Sequence, residues 1–321
     1  MSDIGFAPIT NHQSSITSLK LSVVIPTYNQ ADLLRECLRS LVDQTIPRDT
    51  YEVFVVDDGS TDQTQAVCSE FAAHVKSIRF PANRGRSAAR NAGIQEARAP
   101  LIAFVDSDVL VGRSFLETHL KTYHQNGPRV LSRGPVVIVS SVEAAKKARV
   151  PRLSASPAYL DTANVLVEKS ALVEAGLFDE GFPGYGWEDF ELGMRLKRLG
   201  VRRIFCRDAI AFHVQTDSRS MRIDNLLRKE EERAKSAVYF YRKHPTLETR
   251  LLIQATPLHR AAFWLQSAGG SLTPHNITPI ARWLRNSGAP GLAYVALRGV
   301  LNGHYLQSLR TELKSHVAAL A

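Results

Sequence analysis

LIAFVDSDV, residues 101–109, joins an apolar run to two aspartates, Asp106 and Asp108, that flank one serine. Leu101 to Val105 read as a buried strand, and its end carries two like charges that repel unless something positive sits with them. Alternate residues of an extended segment point to one side, so the two carboxylates suit a hard divalent cation, which prefers oxygen ligands. The competing reading is a loop of solvated aspartates or a helix cap. The position at the end of an apolar strand favours the metal.

Working outward, the same pattern recurs. KLSVVIP (20–26), YEVFVVDDGS (51–60) and SIRF (77–80) are short apolar strands. ADLLRECLRSLVDQ (31–44), TDQTQAVCSEFAAH (61–74), with Thr61 or Asp62 as N-cap, and GRSAARNAGIQEAR (85–98) have helical spacing. Nearly all-apolar strands alternating with helices predict an α/β fold, a mostly parallel sheet covered on both faces. Ligands of such sheets bind beyond the carboxyl ends of the strands. Pro26 to Asn29, Asp57 to Gly59 and Asp106 to Asp108 all fall there, so three polar clusters converge on one crevice. Beyond Pro128 the rhythm changes. VLSRGPVVIVSS and SPAYLDTANVLVEK read as strands of a mixed sheet, EDFELGMRLKRLG as a helix, RRIFC and AIAFHV as short strands, and 218–244 as a long charged helix. This divides the chain into a polar lead-in (1–19), a domain over 20–217 with halves 20–127 and 128–217, and a helical C-terminal region (218–321).

The 321 residues are 44% hydrophobic and 22% charged, enough for a sizeable core. A net charge of +9 and a pI near 9.6 favour anionic partners. Cys37, Cys68 and Cys206 are odd in number and far apart, which argues against a disulfide framework or zinc site and for a reducing cytoplasm. No apolar run reaches about 18 residues, and the most tempting stretch for a span, APGLAYVALRGVL (289–301), is short and broken by Arg298. Neither a dinucleotide fingerprint nor a P-loop occurs. The basic residues lack the aromatic interleaving of a nucleic-acid platform, so no nucleic-acid partner is expected.

Other residues stand out by type and place. Asp57 and Asp58 suit hydrogen bonding to a ribose or base, or a D-G turn. In NRGRSAARN (83–91), Arg84, Arg86 and Arg90 gather near a helix N-terminus, either as a phosphate site or as a solvated basic face. Glu188 and Asp189 open a helix behind a glycine-rich loop, where one carboxylate serves as general base or both simply favour the helix start. His213 by itself reads as an ordinary strand-end histidine.

In this order, VVIPTYN, VVDDGSTD, NRGRSAARNAG, FVDSD and GWEDFELGMRLKRLG resemble the inverting GT-A glycosyltransferases of family 2, over about residues 20–215. The WED helix is similar to the acceptor motif of the galactosyltransferase and chondroitin-synthase types. The resemblance implies a GT-A, Rossmann-like sheet and a nucleotide-sugar donor, usually a UDP-sugar. It assigns Pro26, Tyr28, Asp58, Asn83, Arg86, Arg90 and Asp106 to the donor, and Asp106, Asp108 and His213 to Mn²⁺ or Mg²⁺. Asp189 becomes the base, and Glu188, Trp187 and Tyr185 face the acceptor, a glycan or lipid-linked hydroxyl. The processive members' Q-x-x-R-W is missing: Ala281-Arg282-Trp283 follows Pro279-Ile280. One sugar, or a few, would then be added. Residues 256–321 hold a single acid, Glu312, among six Lys and Arg and several aromatics, which suggests peripheral contact with the inner face of the cell membrane, or else a helical cap. A nucleotidylyltransferase would need a basic glycine-rich loop where PTYNQ stands. A non-catalytic sugar- or nucleotide-binding module would not need Asp106, Asp108, Asp189 and His213 together.

Overall fold

The computed structural model describes residues 19–148, 158–215 and 223–319, so residues 1–18, 149–157, 216–222 and 320–321 lie outside the described residues. A seven-stranded sheet forms the centre. Four strands, β1 (Leu21–Thr27), β2 (Tyr51–Asp57), β3 (Lys76–Arg79) and β4 (Leu101–Phe104), run parallel in the order β3-β2-β1-β4. β8 (Val165–Glu168) pairs antiparallel with β4, and β6 (Val130–Arg133) with β9 (Arg202–Phe205) completes the far edge. The sheet is therefore mostly parallel with one reversed strand, as the alternating pattern predicts.

Both faces of the central strands are covered, which is why β1, β2 and β4 are buried at every position and mostly apolar. On β1, Leu21, Val23 and Ile25 pack into one core with α1 (Ala31–Val42), α2 (Thr64–Glu70) and α4 (Phe115–Asn126), while Val24 enters a second core with α3 (Arg86–Glu96), α6 (Lys169–Glu174) and α7 (Glu188–Arg198). The N-cap of α2 is Gln63 rather than Thr61 or Asp62. The Asp62 carboxylate instead accepts the Ala31 N–H at the start of α1 and the Thr64 N–H, each at 3.0 Å, tying two helix starts together.

VLSRGPVVIVSS does not stay in one sheet. It breaks after β6, and β7 (Val136–Val139) joins β5 (Val109–Val111) and β10 (Ala211–Val214) in a small second sheet of order β5-β10-β7. Gly134 lies at the break, where a Cβ would sit 2.0 Å from the Ala209 carbonyl oxygen. Only glycine lets the two segments approach so closely. In SPAYLDTANVLVEK, the described strand is limited to Val165–Glu168. A short helix, α5 (Val142–Lys147), follows β7.

The C-terminal region is helical: α8 (Ile223–Lys243), α9 (Leu247–Leu252), α10 (Pro257–Gln266), α11 (Ile277–Asn286) and α12 (Pro290–Ala319). A third core joins it to the rest of the molecule, with Trp187 and Met194 packed among Ala234, Ala237, Phe240, Tyr305, Leu306 and Leu309.

Candidate active site

The parallel register brings the first two clusters to the same end of the sheet, because Thr27 lies opposite Asp57. Asn29 accepts the Thr61 N–H at 2.8 Å, and its own N–H donates to Ser60 Oγ at 2.9 Å. Gly59 turns here with φ +80°, and an added Cβ would lie 2.7 Å from the Ala82 carbonyl carbon, so the D-G turn also makes room for the loop before α3. Asp58 holds that loop directly, accepting the backbone N–H groups of Arg84 at 2.6 Å and Gly85 at 3.0 Å. Burial raises its pKa and these two bonds oppose the shift, which stays upward. Pro26 is buried within β1, whereas Tyr28 and Asn83 are exposed. The Ser107 hydroxyl donates to Gln30 at 2.6 Å and connects this group to the D-x-D turn.

Asp106 and Asp108 diverge in their partners. Asp106 accepts a bond from Arg90 at 3.0 Å. Asp108 meets His213 at 3.2 Å. The pairing of His213 opposite Val109 in the small sheet, with the Val214 N–H donating to the Asp108 carbonyl at 2.9 Å, produces that contact across 105 residues of sequence. Burial opposes ionisation of Asp108, but the imidazole outweighs it and holds the carboxyl below its usual range. Burial likewise works against a charged His213, and Asp108 more than compensates, raising the histidine's pKa.

Arg90 is the centre of the arrangement. It is 2% exposed and lies over the Phe178 ring at 5.5 Å. One arm of its guanidinium reaches Asp106, and the other reaches Glu188 at 3.4 Å. A buried arginine with two separate carboxylates thus couples the end of β4 to the start of α7. Arg86, one turn earlier, is exposed and stacks on Tyr185 at 4.7 Å.

A cavity of about 1010 Å³ opens over these groups, lined among others by Arg86, Arg90, Asp106, Glu188, Asp189 and His213. Asp189 is strongly perturbed. Burial first, then the charges of Glu188 and Asp161, push its pKa well above the carboxylate range, with Arg90 offsetting part of the shift. Such a group binds a proton far more readily than a free aspartate, as a general base requires. One Glu188 oxygen, Oε2, is buried without a hydrogen-bond partner among the described residues.

Trp187 stands immediately before these acids with φ +76°, a left-handed conformation that costs energy for a bulky residue. The surroundings enforce it. The indole N–H donates to the Arg233 carbonyl at 3.0 Å, the Arg233 guanidinium lies 5.1 Å above the ring, and Phe240 and Tyr305 pack beside it. Trp187 is 5% exposed, so most of its surface serves this core even though an edge lines the cavity. Tyr185 is exposed at the cavity wall.

Several contributors gave no signal in the sequence. Asp161, paired with Arg133 at 3.3 Å, faces the same cavity, and burial raises its pKa. Arg233, Leu251 and His259 close the wall from α8, α9 and α10. Asp161 sits in an ordinary L-D-T-A-N turn, and the others come from a region with no motif. Only packing brings them to the site.

The donor set for a metal is partly assembled. Asp108 and His213 already touch, one a carboxylate oxygen and the other an imidazole nitrogen, both common ligands of Mn²⁺-type ions. Asp106 is turned to Arg90, and among the described residues no three His, Cys, Asp or Glu side chains converge as one cluster. The Asp108–His213 pair fits a divalent ion, with Asp106 two residues away.

The architecture is that of the GT-A glycosyltransferases. The mannosyltransferase PcManGT of Pyrobaculum calidifontis, solved with GDP-Man and Mn²⁺, superposes with a TM-score of 0.60 at 22% identity, covering 92% of this chain and 87% of that one. TarS 1–349 of S. aureus with UDP-GlcNAc gives 0.53 at 19% identity, covering 91% and 92%. Residues 22–171 match the family model Glycosyl transferase family 2, so the chain carries a domain of that family. Validoxylamine A glucosyltransferase of Streptomyces hygroscopicus subsp. jinggangensis is 30% identical over 275 residues, 74% of this chain. Escherichia coli chondroitin synthase is 28% identical over 279 residues, 72% of this chain. The match spans 64% of the first relative's length and 40% of the second's.

Proposed function

We propose that the chain is an inverting glycosyltransferase that moves a sugar from a nucleotide-sugar donor, with a UDP-sugar the first candidate, to a hydroxyl of a glycan or lipid-linked acceptor. The observation that carries this reading is Arg90, whose two arms join the Asp106 turn to Glu188 beneath one cavity. A donor's diphosphate and an acceptor's hydroxyl then have adjoining places, as direct transfer demands.

In this reading Arg86 and Arg90 bind the diphosphate, and Asp58 shapes the nucleoside side by fixing the 84–85 loop. Glu188 and Tyr185 border the acceptor. Asp189 takes the proton of the acceptor hydroxyl. The oxygen–carbon bond forms at the anomeric centre while the bond to the diphosphate oxygen breaks, and its electron pair leaves with the nucleoside diphosphate. Attack from the opposite face inverts configuration without a covalent enzyme intermediate. Asp108 and His213, with Asp106, would hold Mn²⁺ or Mg²⁺, which neutralises charge on the leaving group. Residues 20–217 act as the catalytic domain. The 256–321 segment touches the inner face of the cell membrane, and the enzyme is otherwise cytoplasmic. The names of the relatives support the transferase class, and the nucleotide sugars bound by the two solved neighbours support the donor class.

Thermal unfolding with UDP or GDP, in Mn²⁺ and in EDTA, tests the donor site, because a ligand of the folded state raises its apparent stability. The expected result is a metal-dependent rise of melting temperature that Asp108→Ala abolishes. A rise with GDP alone changes the donor and keeps the class. The absence of a shift with any nucleotide rejects the reading.

A further inference from the structure

The stretch 289–301 takes no part in the cavity. It opens α12, directly after a tight reversal from α11. The Ala289 N–H donates to the Leu284 carbonyl at 2.9 Å and Gly288 takes φ +79°, which closes the end of α11. Ile277, Ala296 and Val300 are buried against one another with Leu284 and Leu297, so the two helices pack side by side through one face. Their other faces are left to solvent at the corner. There Trp283 is 66% exposed, Leu292 62%, Tyr294 66% and Val295 46%. Arg282 and Arg285 lie on either side of Trp283 in the sequence of α11, both exposed and in no ion pair among the described residues. Between Glu248 and Glu312 the chain has no acidic residue.

We propose that this α11–α12 corner is the point at which the protein inserts into an anionic phospholipid surface. The proposal deepens the membrane contact of the preceding section and rests on it. Trp and Tyr settle at the headgroup level, where an apolar body and a polar edge are both satisfied. Leu292 and Val295 enter the acyl boundary beside them, and Arg282 and Arg285, held by no ion pair among the described residues, meet lipid phosphates. No described helix is long and apolar enough to cross a membrane, so the contact is interfacial. A second copy of the chain could cover the same apolar groups, but two copies of the corner would bring together four arginines that no carboxylate holds among the described residues. The charge pattern selects lipid.

Flotation of the full chain with phosphatidylglycerol/phosphatidylcholine vesicles, and with phosphatidylcholine vesicles alone, tests this. Binding is expected only to the anionic vesicles and is expected to weaken with salt. Arg282→Ser and Arg285→Ser should each lower the partition coefficient by about fivefold. Trp283→Ser/Tyr294→Ser should lower it at least tenfold. These exposed positions should leave the melting temperature and its nucleotide-induced shift unchanged. If wild type floats and the Trp283/Tyr294 variant floats equally, the membrane reading stands and the corner is wrong. Failure of wild type to float overturns both. A dimer in solution that the Trp283/Tyr294 variant dissolves overturns the corner as a lipid contact and assigns it to a second copy. None of these outcomes depends on transferase activity.

Discussion

Asp189 illustrates how a residue's chemistry is made by its neighbours. Its carboxyl holds a proton to a higher pH than a free aspartate because of burial and the adjacent Glu188 and Asp161. Its folded-state pKa therefore lies above its unfolded one. The stability it contributes is complete below the unfolded value and is lost as pH rises through the folded one. Asp189→Asn removes that loss. The variant should melt higher than wild type at pH 8, with the gap closing near pH 4, while transfer falls by about 10²- to 10⁴-fold. A melting temperature that drops at pH 8 would contradict the assignment. In wild type, the acid limb of kcat/KM should lie above the ordinary carboxylate range and vanish in the Asn variant. Motif spacing marked Asp189 as a candidate, but its perturbation depends on Asp161, which lies 28 residues away in an unremarkable turn and is legible only in the folded chain.

Between elements, His119 is the clearest case. It is fully buried on α4, with Nδ1 2.9 Å from Ser132 Oγ on β6 and Nε2 2.9 Å from Asn164 Oδ1. The Asn164 amide nitrogen is already committed to the carbonyls of Pro135 and Ala209, so its oxygen must accept and Nε2 carries the hydrogen. This network joins α4 to the strand break at Gly134. Burial lowers the histidine's pKa to about 4, while the Asn164 bond opposes the shift. A depressed folded value means that the unfolded chain binds the proton first. Stability is present above pH 6.5 and is lost as pH falls towards 4, by roughly 3 kcal/mol for this one group. Urea midpoints at pH 7 and pH 4.5 should differ less for His119→Gln than for wild type, although the variant is weaker at both. Equal pH slopes would exclude His119 as the source. The helix carrying His119 comes from the structure, whereas the strand carrying Ser132 was readable from its apolar run. The pairing was not, because a lone histidine in a helix has no local marker of its partners.

At the scale of the whole molecule, the C-terminal helices support the site from behind. Tyr305 of α12 is fully buried, donates to the Ile253 carbonyl at 2.7 Å, carries the Arg233 guanidinium 4.4 Å above its ring and packs on Trp187. Since Trp187 holds a strained backbone just before Glu188 and Asp189, loosening this core releases the start of α7. Tyr305→Ala should cost about 3–5 kcal/mol in chemical denaturation, the range for a buried aromatic. It should also lower turnover at temperatures where the variant is still folded. Retained turnover with the full stability loss would show that the helices only cap the fold.

The amino-acid sequence alone determined the parallel half of the sheet, the crevice at its carboxyl ends and the motif acids and arginines, because strand burial and strand-end chemistry are local in the chain. It also showed the basic, acid-poor character of the last 66 residues. Tertiary structure decided the rest. The break at Gly134 sent β7 to a second sheet, the register of β10 set His213 on Asp108, and Arg90 took two carboxylates at once. Asp161, Arg233 and the α9–α10 wall joined the cavity by packing alone. These are contacts between segments tens to hundreds of residues apart, made by ladder register and by core packing, and neither leaves a periodic trace in one stretch of sequence.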